Sequence, residues 1–196
     1  YRALFEQAFP GQAEPITAEN WGKAIGAYER VLLTPAPFDR YLQGDAGALS
    51  AKQKQGLDKF MATGCGGCHS GVTVGGQMYQ KFGVTADYWS LTGSKENDIL
   101  KGRDKGRFHD TKKEEDAFFF KVQQLRNVAA TPPYFHDGSV ATLSEAVRVM
   151  SKLQLGKDLS DADVGDIVAF LESLTGEVPQ NFAQVPNLPV AAYKQQ

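Results

Sequence analysis

The chain of 196 residues has only two cysteines, a formal net charge of -2 and no long uninterrupted apolar run. Two cysteines that fall in one short segment leave no disulfide framework. A nearly balanced charge, with 22% charged residues, gives no electrostatic footprint for nucleic acid. No apolar stretch reaches the length of a membrane-spanning helix. With 42% apolar residues the composition is that of an ordinary globular protein, long enough for one domain or one and a half around a sizeable core.

Both cysteines stand in Cys65-Gly66-Gly67-Cys68-His69, the attachment signature of a c-type haem. Two thiols at this separation form thioethers with the two porphyrin vinyl groups, and the adjacent histidine is carried beneath the ring to bind the iron. Gly66 and Gly67 let the backbone lie close to the macrocycle. Two other chemistries use the same residues. A zinc site needs about four ligands, so Cys65 and Cys68 would have to recruit His109 and His136 across a long gap. A dithiol redox motif needs a strand before it and a helix after it, and neither pattern is visible. Covalent haem attachment implies assembly outside a bacterial cytoplasm, hence a periplasmic location. The opening Tyr1-Arg2-Ala3-Leu4-Phe5-Glu6 reads as amphipathic helix and not as an export signal. Either a leader has been removed, or the chain is the later part of a longer protein.

The periodicity predicts four principal helices. Thr17 caps one that runs to Leu33, with Trp21, Ala24, Ile25, Tyr28 and Leu32 on its apolar face, and Pro35 and Pro37 end it. Ser50 and Gln53 form a capping box for a helix to Thr63 that carries Leu57, Phe60 and Met61 inward, and Gly64 stops it. Thr142 and Glu145 open a third, with Leu143, Ala146, Val147 and Met150 on one face. Ser160 and Asp163 open the fourth, with Val164, Ile167, Val168, Leu171 and Leu174 inside, and Gly176 closes it. Between Ser70 and Phe120 the periodicity fades into a glycine-rich excursion, as a loop wrapped round a large cofactor would. Its later part is basic (Lys101, Arg103, Lys105, Arg107, Lys112, Lys113), either a solvated loop or a docking surface. The fold expected is all-α: a cytochrome c-like haem domain over 1–176 with long irregular insertions, followed by an extended proline-containing tail over 177–196.

The second axial ligand decides the chemistry, because histidine–methionine ligation raises the haem potential. Met61, Met78, Met150, His109 and His136 are the candidates. Met61, one turn before Cys65, reads as core packing, as does Met150 on its apolar helix face. Met78 is geometrically able to ligate. Local patterning leaves the choice open.

The stretch Phe120-Lys121-Val122-Gln123-Gln124-Leu125-Arg126-Asn127-Val128-Ala129, then Thr131-Pro132-Pro133-Tyr134-Phe135-His136-Asp137-Gly138-Ser139, resembles the bacterial di-haem cytochrome c peroxidases. So do Ala24-Ile25, Glu29-Arg30, Phe38-Asp39-Arg40-Tyr41-Leu42, Gly44-Asp45, Tyr79-Gln80-Lys81-Phe82-Gly83, Gln154-Leu155-Gly156 and Ala169-Phe170-Leu171. The resemblance implies the C-terminal, high-potential haem domain, with His69 and Met150 as axial ligands. It also implies that Thr131 and Pro133 offer backbone carbonyls to a structural calcium, and that Arg126 and His136 line the haem pocket. The family carries a second haem in a preceding peroxidatic domain, for which this chain has no second Cys-x-x-Cys-His; residues 1–16 would then be a remnant or interface of that domain. On this resemblance the whole protein is a peroxidase that takes electrons from a small cytochrome c or cupredoxin and reduces hydrogen peroxide, and a homodimer is compatible with it. A stand-alone mono-haem electron carrier is the alternative. A relative that oxidises a protein substrate would place tyrosine where Met150 stands.

Overall fold

The computed structural model describes residues 1–93 and 102–182. Lys101 of the basic stretch, and the part of the expected tail from 183 to 196 with Pro186 and Pro189, lie outside the described residues. The chain divides into two compact units, one of residues 1–34 with 177–196 and one of Pro35–Gly176.

The first unit holds α1 (Arg2–Ala8) and α2 (Ala18–Glu29). Thr17 caps α2 by accepting the Asn20 N–H at 3.1 Å. The Asn20 amide, buried, donates to Gln12 and to the Pro15 carbonyl at 2.6 and 2.8 Å, which fixes the turn between the helices. The apolar stripe read along this helix is largely exposed. Trp21 is 62% exposed, and Ile25, Tyr28 and Leu32 are exposed with it. The helix also stops at Glu29, short of the expected Leu33. A helical period reports that one face is apolar and not that anything covers it.

The second unit is built on α4 (Ala51–Thr63) crossing α8 (Asp161–Glu172), with α7 (Leu143–Leu155) packed on α8. Ser50 and Gln53 exchange hydrogen bonds at 3.2 and 2.9 Å as the capping box requires. Thr142 and Ser160 accept the Glu145 and Asp163 N–H groups in the same way. The crossing is close because Gly56 has no side chain: a Cβ there would lie 1.9 Å from the Asp166 carbonyl oxygen. Phe60, Ile167, Phe170, Leu171 and Leu174 fill the core with Leu49, Val74 and Phe38, the last from α3 (Pro37–Leu42). Leu57 packs against this core, but Met61 does not: it is 59% exposed, a correction to the inward face read for α4.

The excursion after the haem motif is mostly irregular, and it carries structure that the periodicity did not reveal. Strands β1 (Tyr79–Lys81) and β2 (Phe119–Lys121) pair antiparallel with Gln80 opposite Phe120. Two short helices, α5 (Tyr88–Thr92) and α6 (Phe108–Thr111), lie between them in sequence. The unit is thus helical with one small two-stranded sheet.

Candidate haem-attachment site

α4 delivers the motif. Its last residue is followed by Gly64 at φ 108°, a left-handed turn in which a Cβ would be strained. The chain then winds one tight 3-10 turn over Cys65–Gly67. The Cys65 carbonyl accepts the N–H groups of Cys68 and His69 at 3.2 and 3.0 Å, so both sulfurs and the imidazole leave a single turn. The two cysteines are not joined in a disulfide. Burial pushes the Cys65 thiol pKa up, against the pull of the nearby Lys157 ammonium, which itself donates to the Thr63 carbonyl at 2.7 Å. Beside Gly67 nothing lies within 4 Å of where a Cβ would stand, whereas a Cβ on Gly66 would meet the Met61 sulfur at 2.6 Å.

His69 packs beside Phe60, with ring centres 6.4 Å apart. Burial lowers its pKa, outweighing the backbone carbonyls of Gln123 and Val74, which favour the charged ring. Burial thus favours the neutral imidazole, the form that ligates metals. Its Nδ1 is the one buried side-chain polar atom without a hydrogen-bond partner among the described residues. Such an atom costs about 1–3 kcal/mol if left unpaired, and a histidine that ligates a metal through one nitrogen ordinarily donates the N–H of the other to a carbonyl or carboxylate, for which the Gln123 and Val74 carbonyls are at hand. Two thiols on one turn, a neutral histidine beside them and open space at Gly67 fit a covalently attached haem.

The segment 122–127 holds the loop that follows the motif. Gly76 N–H donates to Val122 at 2.8 Å and Leu125 N–H to Val74 at 3.1 Å. The Arg126 guanidinium spans two contacts: its Nε donates to the Val72 carbonyl at 2.8 Å, and its two terminal nitrogens grip Asp39 at 2.7 and 2.6 Å. Asp39 also accepts the Ala36 N–H at 2.8 Å, capping α3. Burial alone would raise the Asp39 pKa, but the hydrogen bonds from Arg126 and Ala36 and the charge of Arg126 together hold it below the ordinary aspartate value.

The other residues read from the sequence stand elsewhere in the same unit. Met150 is half-buried on α7, between the buried Val149 and Ser151. His136 stacks on Phe120 at 4.7 Å and sits against Tyr88 and Phe82. Thr131 and Pro133 are exposed, just past the short turn Val128–Ala130. His109 accepts the Lys105 N–H on its Nε2 at 2.9 Å, and no group of three His, Cys, Asp or Glu side chains able to hold a metal occurs among the described residues. The basic stretch is largely engaged: Arg103 pairs with Asp87, Arg107 with Asp116, and the Lys112 ammonium donates to the His109 carbonyl. Sequence reasoning passed over Asp39, Lys157 and Tyr88. The first two act across 87 and 94 residues and leave no local signal.

A family model for di-haem cytochrome c peroxidases matches residues 1–47. The cytochrome c551 peroxidase of Pseudomonas aeruginosa is 46% identical over 97% of this chain and 53% of its own length. The cytochrome c peroxidase Ccp of Escherichia coli is 42% identical over 89% of this chain and 36% of its length. Among solved structures, a MauG-like protein associated with microbial copper homeostasis superposes with a TM-score of 0.66 at 29% identity, over 90% of this chain and 59% of that one. The chain thus spans about half, or less, of the curated relatives named here. It belongs to the di-haem cytochrome c peroxidase family.

Proposed function

We propose that the chain is the electron-transfer, high-potential haem domain of a periplasmic di-haem cytochrome c peroxidase. Cys65 and Cys68 would hold one haem c covalently, and His69 and Met150 would be its iron ligands. When bound, the haem would supply a one-electron redox centre, which thioether ligation would bias toward the ferrous state. The chain's own residues carry the rest. His69 is kept neutral by burial, Arg126 and Asp39 brace the loop that follows it, and α7 presents Met150. With His69 and Met150 both committed to the iron, the site would suit relay and not direct reaction with peroxide. Electrons would come from a small cytochrome c or cupredoxin and pass to a peroxidatic haem domain of the family, where hydrogen peroxide is reduced to water. Thr131 and Pro133 offer carbonyls on the exposed turn to a calcium ion, which accepts such oxygens readily. His136 tunes the pocket through its aromatic stack.

The observation that supports this reading most directly is the half-buried His69 leaving the same single turn as the two cysteines, neither of them in a disulfide. The test is the ligand set. In Met150→Ala and Met150→His the sulfur-to-iron charge-transfer band of the ferric holoprotein is expected to vanish and the midpoint potential to fall. A band and a potential untouched by both substitutions would overturn the assignment of Met150 and the relay role with it.

A further inference from the structure

Tyr88 is wholly buried, yet its hydroxyl is heavily engaged. It donates to Asp137 Oδ1 at 2.5 Å and meets Ser139 Oγ at 2.6 Å. The same Asp137 oxygen accepts the Ser139 N–H at 3.1 Å, so the carboxylate is held in place by its own turn. Burial first, and Asp137 after it, push the Tyr88 pKa well above the ordinary phenol value. Trp89 stands edge-on to Tyr88 at 5.3 Å and is 8% exposed. Arg103, at the surface, lies over the Trp89 ring at 5.3 Å. The other neighbours in this cluster are Phe82, Ala86, Phe118, Phe135 and Leu153, and the His136 ring lies 5.3 Å from that of Tyr88. Leu153 belongs to α7, three residues past Met150 and so one helical turn away. The Thr85 N–H donates to the Leu153 carbonyl at 2.9 Å and anchors this cluster to that turn.

We propose that Tyr88 and Trp89 form a two-step path for an oxidising equivalent between the Met150 turn of α7 and the surface at Arg103, with Asp137 taking the Tyr88 proton. The place of Met150 at the haem rests on the function proposed above. The chemistry of the path rests on the cluster alone. A phenol that loses an electron while keeping its proton becomes a very strong acid, so oxidation proceeds easily only where a base stands at hydrogen-bond distance. In the first step one electron leaves Tyr88 for the oxidant, the Tyr88 O–H bond breaks, and an O–H bond forms on Asp137. In the second an electron from Trp89 and the proton from Asp137 restore Tyr88, and the Trp89 ring is left one electron short until a reductant at the surface refills it. In the full-length protein of the proposed function the oxidant is a peroxide-derived oxidising equivalent arising at the peroxidatic haem domain, and in the test below it is a photochemical one. Of the aromatic rings around the pair, the phenylalanines are much harder to oxidise and act as insulation. A tyrosine needed only for packing would have no use for a fixed carboxylate, and Phe would fill the space without a polar group to satisfy.

The test uses the holoprotein and a photochemical oxidant. The protein is flashed with ruthenium tris(bipyridine) and persulfate, frozen, and its organic radicals are read by EPR. A neutral tyrosyl signal is expected, most of it lost in Tyr88→Phe and its yield lowered in Asp137→Asn. Exposed tyrosines leave a residue common to all samples, measured with Tyr79→Phe. A signal that Tyr88→Phe diminishes no more than Tyr79→Phe does would overturn the path. If Tyr88→Phe loses the native haem spectrum, Asp137→Asn decides alone, and an unaltered yield there overturns it. Because the photo-oxidant replaces peroxide, a charge-transfer band and potential untouched by Met150→Ala would sink the proposed function and leave this result standing.

Discussion

Arg126 shows what a single side chain contributes here. Its guanidinium is 12% exposed and closes a bidentate pair with Asp39 while holding the Val72 carbonyl, three residues beyond His69. Such charge-assisted bonds are worth roughly 1.5–3 kcal/mol each when partly shielded. Arg126→Ala is therefore expected to lower the denaturation midpoint, and Arg126→Lys to recover little of it because an ammonium cannot make the fork. The sign with pH follows from Asp39. Its carboxyl is held below the ordinary value in the fold, so the stabilisation is complete above the unfolded pKa of about 3.9 and is lost as pH falls through the lower folded value. Denaturant titrations between neutral and acid pH check this: the gap between wild type and Arg126→Ala should close only in that acid window. None of this was legible beforehand. The motif at 65–69 was, because its chemistry is local. Asp39 and Arg126 meet only after folding, and the sequence placed Arg126 at the haem through resemblance alone. Met61 was misread because it follows Phe60 by one residue; Phe60 turns into the core while Met61 lies exposed over Gly66.

At the scale of elements, caps were the most readable feature. Thr17, Ser50, Thr142 and Ser160 each accept the predicted N–H, since a cap depends on residues three apart. Strands β1 and β2 escaped notice because three-residue strands have no period to detect, and their pairing spans about forty residues. Gly56 escaped for a related reason: within α4 it reads as a weakness, and only the crossing with α8 gives it a purpose. Alanine at 56 would gain about 1 kcal/mol of helix propensity. Against this, its Cβ would sit 1.9 Å from the Asp166 carbonyl oxygen and 3.0 Å from the Phe170 Cβ, so one helix must move. Overpacking of this kind costs about 1–3 kcal/mol or more, and the obstacle is backbone, which yields least. Gly56→Ala is expected to lower the thermal midpoint of the holoprotein despite the propensity gain. Because α4 also aims Cys65 and His69, the haem Soret band should shift or broaden in the same variant. An unchanged midpoint would mean that the two helices part without cost.

For the whole molecule, charge and exposed surface govern what the holoprotein does in solution. The basic stretch was readable as charge but not as a set of partners. Arg103 and Arg107 already face Asp87 and Asp116, and their rings of contact, Trp89 and Tyr79, use the same cations again. Pairs this exposed are worth at most about 1 kcal/mol in stability, yet they leave little net field to steer a partner beyond a Debye length of about 8 Å. Replacing Arg103 and Lys105 by glutamine should leave the rate of donor oxidation, and its salt dependence, close to wild type in stopped-flow mixing. A large slowing that fades with added salt would make the stretch a docking surface.

The final expectation concerns the division of labour between relay and reaction. If His69 and Met150 fill both axial positions, peroxide finds no open coordination site on this chain. The 196-residue holoprotein should then exchange electrons rapidly with a small reduced cytochrome while turning over hydrogen peroxide slowly or not at all. Met150→Ala opens one position, so it is expected to gain peroxide reactivity as it loses the thioether band. Steady-state oxidation of reduced donor, with and without peroxide, on the wild type and Met150→Ala separates the two roles. Brisk peroxide turnover by wild type with one haem per chain would mean that the iron is open and that Met150 serves only to pack α7.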